Sequence, residues 1–303
     1  MISIVLISKD EPGLEGTVSD VIYQAKDLAE SSEVIIVDAS DGRLDHIRLR
    51  HATEVRWVPF RQPSGVRVSI PHQRNAGVRA ARGEIIVFTD AGCRPEPGWL
   101  TRLVAPLLQE EEDIAAGLTL SFPGSSGLYD DGARQALASR YLTECATINL
   151  AFRRKAFDAI GGFDQRFAYG SDIDFTWRLT DAGYQIRSVP DAVIRHDWGG
   201  RRRQLRRSYA YGKARMRLLR KHRRRLRRVL HDDPMVIAYP AFLVGLPFTL
   251  ALLFFGLPSS LLIPLYPALL LVPAWRNRSN GIFRVLADHL TYGLGILADL
   301  AGR

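Results

Sequence analysis

Three carboxylates stand where a chain can use them for chemistry. The apolar run in "VIIVDASDG" ends at Asp38, the run in "IIVFTDAGCRP" ends at Asp90, and "GSDIDFTWRLTDAGY" opens with Asp172. A carboxylate at the end of a buried strand can accept hydrogen bonds from a nucleoside, hold a divalent cation through oxygen, or take a proton from a hydroxyl. His196, in "VIRHDW", adds a nitrogen donor that suits Mn²⁺ better than Mg²⁺. Arg74, in "HQRNAG", can hold anionic oxygens through charge-assisted bonds, and Asn75 beside it can cap a helix. Each has a plainer use: Asp38 and Asp172 as turn or helix caps, Asn75 as turn chemistry, His196 as an ordinary polar residue.

The elements that must position these groups follow from the pattern. "ISIVLIS", "EVIIVDAS", "EVRWVP" and "EIIVFTD" are short β-branched runs, separated by helical stretches from Glu15 to Glu30 and from Pro71 to Arg82. Continuous apolar runs, in place of alternating ones, indicate strands covered on both faces. The expected fold is therefore an α/β Rossmann-like sandwich with a mainly parallel sheet. Ligands in such sheets bind at the carboxyl ends of strands, where Asp38 and Asp90 fall.

Four segments in this order resemble a family 2 glycosyltransferase of the GT-A fold over roughly Ile2 to Asp197: Asp38 with "SDG", "QRNAGVRAARGEIIVFTDAG", "AFRRKAFDAIGGFD" and "GSDIDFTWRLTDAGY". The resemblance implies a donor site in which Asp38 meets the nucleoside, with Ser8, Lys9 and Glu11 lining the same pocket and Arg74 and Asn75 close by. It implies that Asp90 is the first acid of a metal-binding Asp-x-Asp pattern, and that Asp172 is the general base on the acceptor hydroxyl. Two positions depart from the family: Gly92 replaces the second acid, and Ser171 replaces the Glu before the base. Gly92 lets backbone approach the donor closely, and Mg²⁺ or Mn²⁺ can be held by Asp90, phosphate oxygens and water, with His196 as a further ligand. Gly162 and Asp164, in "GGFDQRF", together with Trp198, are expected at the sugar or acceptor. Trp177 is a further stacking candidate, more readily a packing residue.

Charge and hydropathy give the rest of the organisation. The 303-residue chain carries a net charge of +9, yet Arg201 to Leu230 alone holds 15 Lys and Arg and no acid. The other 26 basic residues are outnumbered by 32 acids, so the basicity is local. No nucleic-acid motif accompanies it, and it stands just before an uncharged stretch from Met235 to Trp275. An anionic membrane is the expected partner, not nucleic acid. Met235 to Gly256 is long enough for a membrane crossing, "GLPSS" would turn, and Leu261 to Trp275 would return. Arg228, Arg276 and Arg278 flank the pair, which puts both ends in the cytoplasm. Ile282 to Leu300 reads as amphipathic, with Phe283, Leu286, Leu290, Leu294 and Leu297 on its apolar face.

The expected organisation is thus a transferase domain over 1–200, a basic juxtamembrane segment over 201–233, and a transmembrane hairpin with an amphipathic helix over 234–303. Cys93 and Cys145 have no disulfide or metal spacing, which fits a reducing compartment, and "MISIVLISKDE" reads as a first strand, not a signal peptide. The expected activity is inverting transfer of a sugar from a nucleotide-diphosphate sugar to a hydroxyl of a lipid-linked or growing glycan, at the cytoplasmic face of the cell membrane. The alternatives are a polyprenyl-phosphate glycosyl synthase, whose acceptor phosphate needs no base, and a non-catalytic membrane scaffold that binds nucleotide-sugars.

Overall fold

A computed structural model of the chain describes residues 1–66, 69–123, 130, 133–134, 137–254 and 281–302. It divides into two compact units, Met1–Asp197 and Trp198–Arg303. In the first unit the described strands form one sheet of nine: β1 (Ile2–Ser8), β2 (Ser32–Asp38), β3 (Val55–Pro59), β4 (Ile85–Asp90), β5 (Arg94–Pro95), β6 (Ile114–Ser121), β7 (Tyr141–Leu142), β8 (Leu150–Arg153) and β9 (Ile186–His196). Their order is β3-β2-β1-β4-β8-β6-β9-β5, with β7 also on β9.

The expected parallel sheet is found in β3-β2-β1-β4 and again in the β6–β9 pair. Strand β8 runs antiparallel between β4 and β6, and β5 and β7 run antiparallel to β9.

Burial on both faces explains the unbroken apolar runs. Along β1, Ile2, Ile4 and Leu6 point into one core with α1 (Leu14–Lys26) and α4 (Trp99–Leu108). Val5 and Ile7 point into the other, with α3 (Ile70–Ala80), α5 (Arg154–Ala159) and α6 (Ser171–Asp181). A short helix, α2 (Asp45–Arg50), follows β2. Arg154 fastens α3 from below: its guanidinium donates to the carbonyls of Val78, Ala81 and Gly83. These are groups a helix end otherwise leaves unpaired.

The second unit is helical. The basic segment forms α7 (Arg201–Lys221), breaks at His222, and resumes after a 3₁₀ turn as α8 (Leu226–Asp232), followed by α9 (Met235–Phe254) and, later, α10 (Ile282–Leu300). Helices α7 and α10 meet at glycine: a Cβ on Gly212 would lie 2.1 Å from the Tyr292 carbonyl oxygen, and one on Gly295 2.1 Å from that of Tyr209. Asp299, buried on α10, takes the Arg217 guanidinium at 2.9 Å and that of Arg220 as well. Part of the basic charge is therefore matched inside the unit.

The buried stripe of α10 is Val285, Gly293, Gly295, Ile296 and Asp299, while Phe283 and Leu294 are exposed. Of the expected apolar face, Phe283 and Leu294 are thus exposed and Leu286, Leu290 and Leu297 half-buried, while the close helix approach falls on the glycines. Among the described residues no single helix is long and apolar enough to cross a membrane. The segments Arg223–Asp232 and Met235–Ala251, bent by 80°, reach that length and composition only together. The expected turn at "GLPSS" and the return from Leu261 to Trp275 lie outside the described residues.

Candidate active site

Strand register brings the first acids together. Ser8 on β1 stands opposite Asp38 on β2, and Ile7 stands opposite Asp90 on β4, so Ser8, Asp38 and Asp90 end at one edge of the sheet. Asp38 is buried and accepts the Ser40 hydroxyl at 2.5 Å, while that hydroxyl accepts the Asp10 N–H at 2.7 Å. Arg43 holds Asp10 through two bonds of 2.6 and 3.0 Å, closing the β1 and β2 loops on each other. Burial pushes the Asp38 carboxyl above the ordinary range, and the Ser40 bond, with the nearby Ser8 hydroxyl, opposes that. The outcome is a rigid acceptor of hydrogen bonds at the strand end. Ser40 and Arg43 were not among the expected site residues, although "DASDGR" carries them.

Helix α3 delivers the next pair. Arg74 is buried, and one of its terminal nitrogens, Nη2, donates to both Asp90 oxygens at 3.2 and 3.3 Å. Its guanidinium carbon lies 5.9 Å from the Phe88 ring centre and 5.7 Å from that of Phe163, and its buried Nε has no hydrogen-bond partner among the described residues. The two rings belong to an aromatic cluster with Phe152, Phe157 and Phe175, in which Phe163 and Phe175 stack at 4.0 Å. Asn75 points the other way: its amide donates to the Phe163 carbonyl at 2.9 Å and accepts the Phe163 N–H at 2.8 Å.

That double bond fixes the "GGFD" loop. Gly162 has φ +75°, and a Cβ there would lie 2.5 Å from Phe157 Cζ and 2.8 Å from Asn75 Oδ1. Only glycine fits such a place without strain. Arg178 secures the same loop from α6, donating to the Ile160 and Gly162 carbonyls at 2.7 and 2.6 Å while paired with buried Asp174 at 2.9 Å. Asp164 follows, held by the Arg166 side chain at 2.7 Å.

Gly170, with φ +75°, precedes α6 as its N-cap, so that Asp172 lies in the first turn. One Asp172 oxygen accepts the Ile173 N–H at 2.9 Å. Burial raises its pKa, and the positive charge of Arg74 pulls it back down. Arg74 is thus bonded to Asp90 and electrostatically coupled to Asp172. Trp177, a stacking candidate from sequence, is fully buried and donates to Glu144 at 2.7 Å, so it packs the helix in place of meeting a ligand.

His196 ends β9. The β5–β9 pairing sets Arg94 against Arg195, which brings Cys93 Sγ to 3.6 Å from His196 Nδ1, and the Cys93 N–H donates to the Asp90 carbonyl at 3.2 Å. Burial pushes the Cys93 thiol well above its usual range, which favours the protonated form. Gly92, with φ +87°, lies between; its N–H donates to Thr17 at 3.0 Å, and its Cα would be 2.9 Å from a Cβ on Gly13. The turn after Asp90 thus requires glycine for its own geometry. Trp198 opens the second unit, where Arg207 covers its ring at 5.2 Å.

Among the described residues no three His, Cys, Asp or Glu side chains converge as a cation cage. The donor set of one half-exposed carboxylate, Asp90, with His196 reached through Cys93, fits a hydrated divalent ion that shares the oxygens of a bound phosphate. It does not fit a cage made by protein alone.

The model of glycosyl transferase family 2 matches residues 3–168, and that of glycosyl transferase family group 2 matches 130–275. Glycosyltransferase AglE of Haloferax volcanii is 27% identical over 164 residues, which are 52% of this chain and 53% of AglE. The pre-mycofactocin glycosyltransferase of Mycobacterium tuberculosis is 29% identical over 141 residues, 41% of this chain and 29% of that protein. The matched stretch thus spans about half, or less, of these curated relatives. Among solved structures, the mannosyltransferase PcManGT from Pyrobaculum calidifontis, in complex with GDP-Man and Mn²⁺, superposes with a TM-score of 0.71 at 20% identity, covering 99% of this chain and 86% of its own. GalNAc-T7 with UDP, GalNAc and Mn²⁺ gives 0.51 at 18% identity, covering 73% and 47%. At such identities the likeness speaks for the fold, a GT-A-like mixed α/β sandwich. With the family model matched over residues 3–168 of 303, from β1 through the "GGFD" loop, the chain belongs to glycosyl transferase family 2.

Proposed function

We propose that this chain transfers a sugar from a nucleotide-diphosphate sugar to an acceptor hydroxyl with inversion. One observation carries the reading: Asp38 and Asp90 end at one sheet edge, with buried Arg74 bonded to both Asp90 oxygens. Asp38 and Ser8 bind the nucleoside, and Arg74 and Gly92 lie along the diphosphate. Asp90 and His196 would hold Mg²⁺ or Mn²⁺, which when bound neutralises the charge of the departing diphosphate. Asp172 takes the proton of the acceptor O–H; the oxygen forms the new bond to the anomeric carbon; the bond from that carbon to the phosphate oxygen breaks, and the nucleoside diphosphate leaves. Asp164 and Gly162 bound the sugar side. A single displacement inverts the anomeric centre.

The acceptor is a lipid-linked or growing glycan, and the catalytic unit works at the cytoplasmic face of the cell membrane. Support comes from the exposed apolar side chains of α9, among them Ile237, Phe248 and Phe254, directly after the arginine-rich turn at 223–228. A basic stretch beside an apolar one is attracted to an anionic leaflet.

A second reading has its own observation. Burial raises the Asp172 pKa, and a polyprenyl-phosphate acceptor, already ionised, has no use for a base. Asp172→Asn separates the two. Transfer to a hydroxyl acceptor in membrane extract should fall about a hundred- to ten-thousandfold, as expected when an essential base is lost. Near-normal turnover of the variant would assign the phosphate acceptor instead.

A further inference from the structure

We infer that Arg74 makes cation binding at Asp90 conditional on the nucleotide diphosphate, so that ion and nucleotide bind as a pair and not one by one. The inference rests on the donor-site reading above.

Asp90 is the only acid of its turn, because Gly92 stands two residues on, and that one carboxylate already faces a cation. Both of its oxygens accept from a single Arg74 nitrogen, at 3.2 and 3.3 Å, a long and shared contact. Charge-assisted N–H···O bonds of full strength are shorter, about 2.7–2.9 Å. The contact is therefore weak enough to rearrange, but the positive charge cannot leave. Arg74 is 5% exposed as a residue and lies near the rings of Phe88 and Phe163. A divalent ion arriving alone at Asp90 meets this fixed charge in a poorly screened place, where Asp90 is the carboxylate bonded to Arg74 and Asp172 is only electrostatically coupled to it. A diphosphate changes the balance: its oxygens can ligate the ion, and they can also take the Arg74 guanidinium, whose Nε has no partner among the described residues. Arg74 acts here as a positioning residue, through the carboxylate it shares.

Electron paramagnetic resonance of Mn²⁺ tests this on the full chain, without turnover. For wild type, Mn²⁺ alone should bind weakly, and one of UDP, GDP or dTDP should tighten it at least about tenfold, the usual size of a coupling between sites. In Arg74→Met, Mn²⁺ alone should bind at least about tenfold tighter than to wild type, and the nucleotide should add little. Arg74→Lys keeps the charge and should behave as wild type. Asp90→Asn placed on Arg74→Met should abolish the gain. General damage to the site would weaken binding, so a gain of affinity is a result that misfolding cannot imitate. The inference is overturned if Arg74→Met binds Mn²⁺ no tighter than wild type while a nucleotide still binds, or if the gain survives Asp90→Asn. If no protein binds any nucleotide in any condition, the donor-site reading falls with it.

Discussion

Replacing Asn75 by alanine removes two buried hydrogen bonds at once. The Phe163 carbonyl loses a donor at 2.9 Å and its N–H an acceptor at 2.8 Å, both inside the protein. A hydrogen bond contributes about 1 kcal/mol net, and a buried group left unpaired costs about 1–3 kcal/mol, so the variant should lose about 3 kcal/mol. For a unit of this size that lowers Tm by about 6–12 °C. Asn75→Asp sharpens the test. Its carboxylate can still accept from the Phe163 N–H but faces the carbonyl oxygen without a donor, so at neutral pH it should be at least as unstable as Asn75→Ala. Its folded-state pKa is then raised, and stability should return as pH falls and the protonated oxygen donates to the carbonyl. Thermal melts followed by near-ultraviolet circular dichroism, from pH 4 to 8, read both effects. An Asn75→Ala melt within about 2 °C of wild type, or an Asn75→Asp variant that does not recover in acid, would refute the assignment of Asn75 as the anchor of the "GGFD" loop.

Other perturbations have equally definite outcomes. Asp172→Asn should melt higher than wild type at neutral pH while losing transfer: the folded pKa of Asp172 is raised, so its stabilising effect is present in acid and lost as pH rises through that value, and the advantage of the amide should vanish below the ordinary Asp value near 3.8. Gly162→Ala should destabilise by about 2 kcal/mol or more, because φ is +75° and the new Cβ would lie 2.5 Å from Phe157; an unchanged denaturation midpoint would contradict this. In the second unit, Gly212→Ala drives a methyl against the Tyr292 carbonyl and should loosen α7, read as faster tryptic cleavage within Arg201–Lys221; equal rates would contradict the close helix crossing.

The strand ends were legible because β-branched runs and a terminal acid are local signals. Asp38 and Asp90 needed only the period of the chain and a parallel register to be placed on one edge. Arg74 was visible as a guanidinium in a motif, but not its grip on Asp90, since nothing local says that α3 turns that side chain toward β4. Asn75 and Phe163 are 88 residues apart, and their pairing depends on how the loop after α5 packs against α3. Trp177, read from sequence as more readily a packing residue than a stacking one, is buried and bonded to Glu144, a partner 33 residues away that no local signal names. The antiparallel β8 was missed because "LAFR" is four residues long, too short to display its direction. In the second unit, composition showed where the arginines are, but not that Asp299 takes two of them.

Calorimetric titration of the full chain with UDP, GDP and dTDP, each with and without Mn²⁺, on wild type and on Asp90→Ala, tests the central claim most directly. One nucleotide should bind, more tightly with Mn²⁺, and Asp90→Ala should lose the metal-dependent part. Binding that Asp90→Ala leaves unchanged, or the absence of binding by any of the three nucleotides with Mn²⁺ present, would contradict a donor site built on Asp38, Asp90 and Arg74.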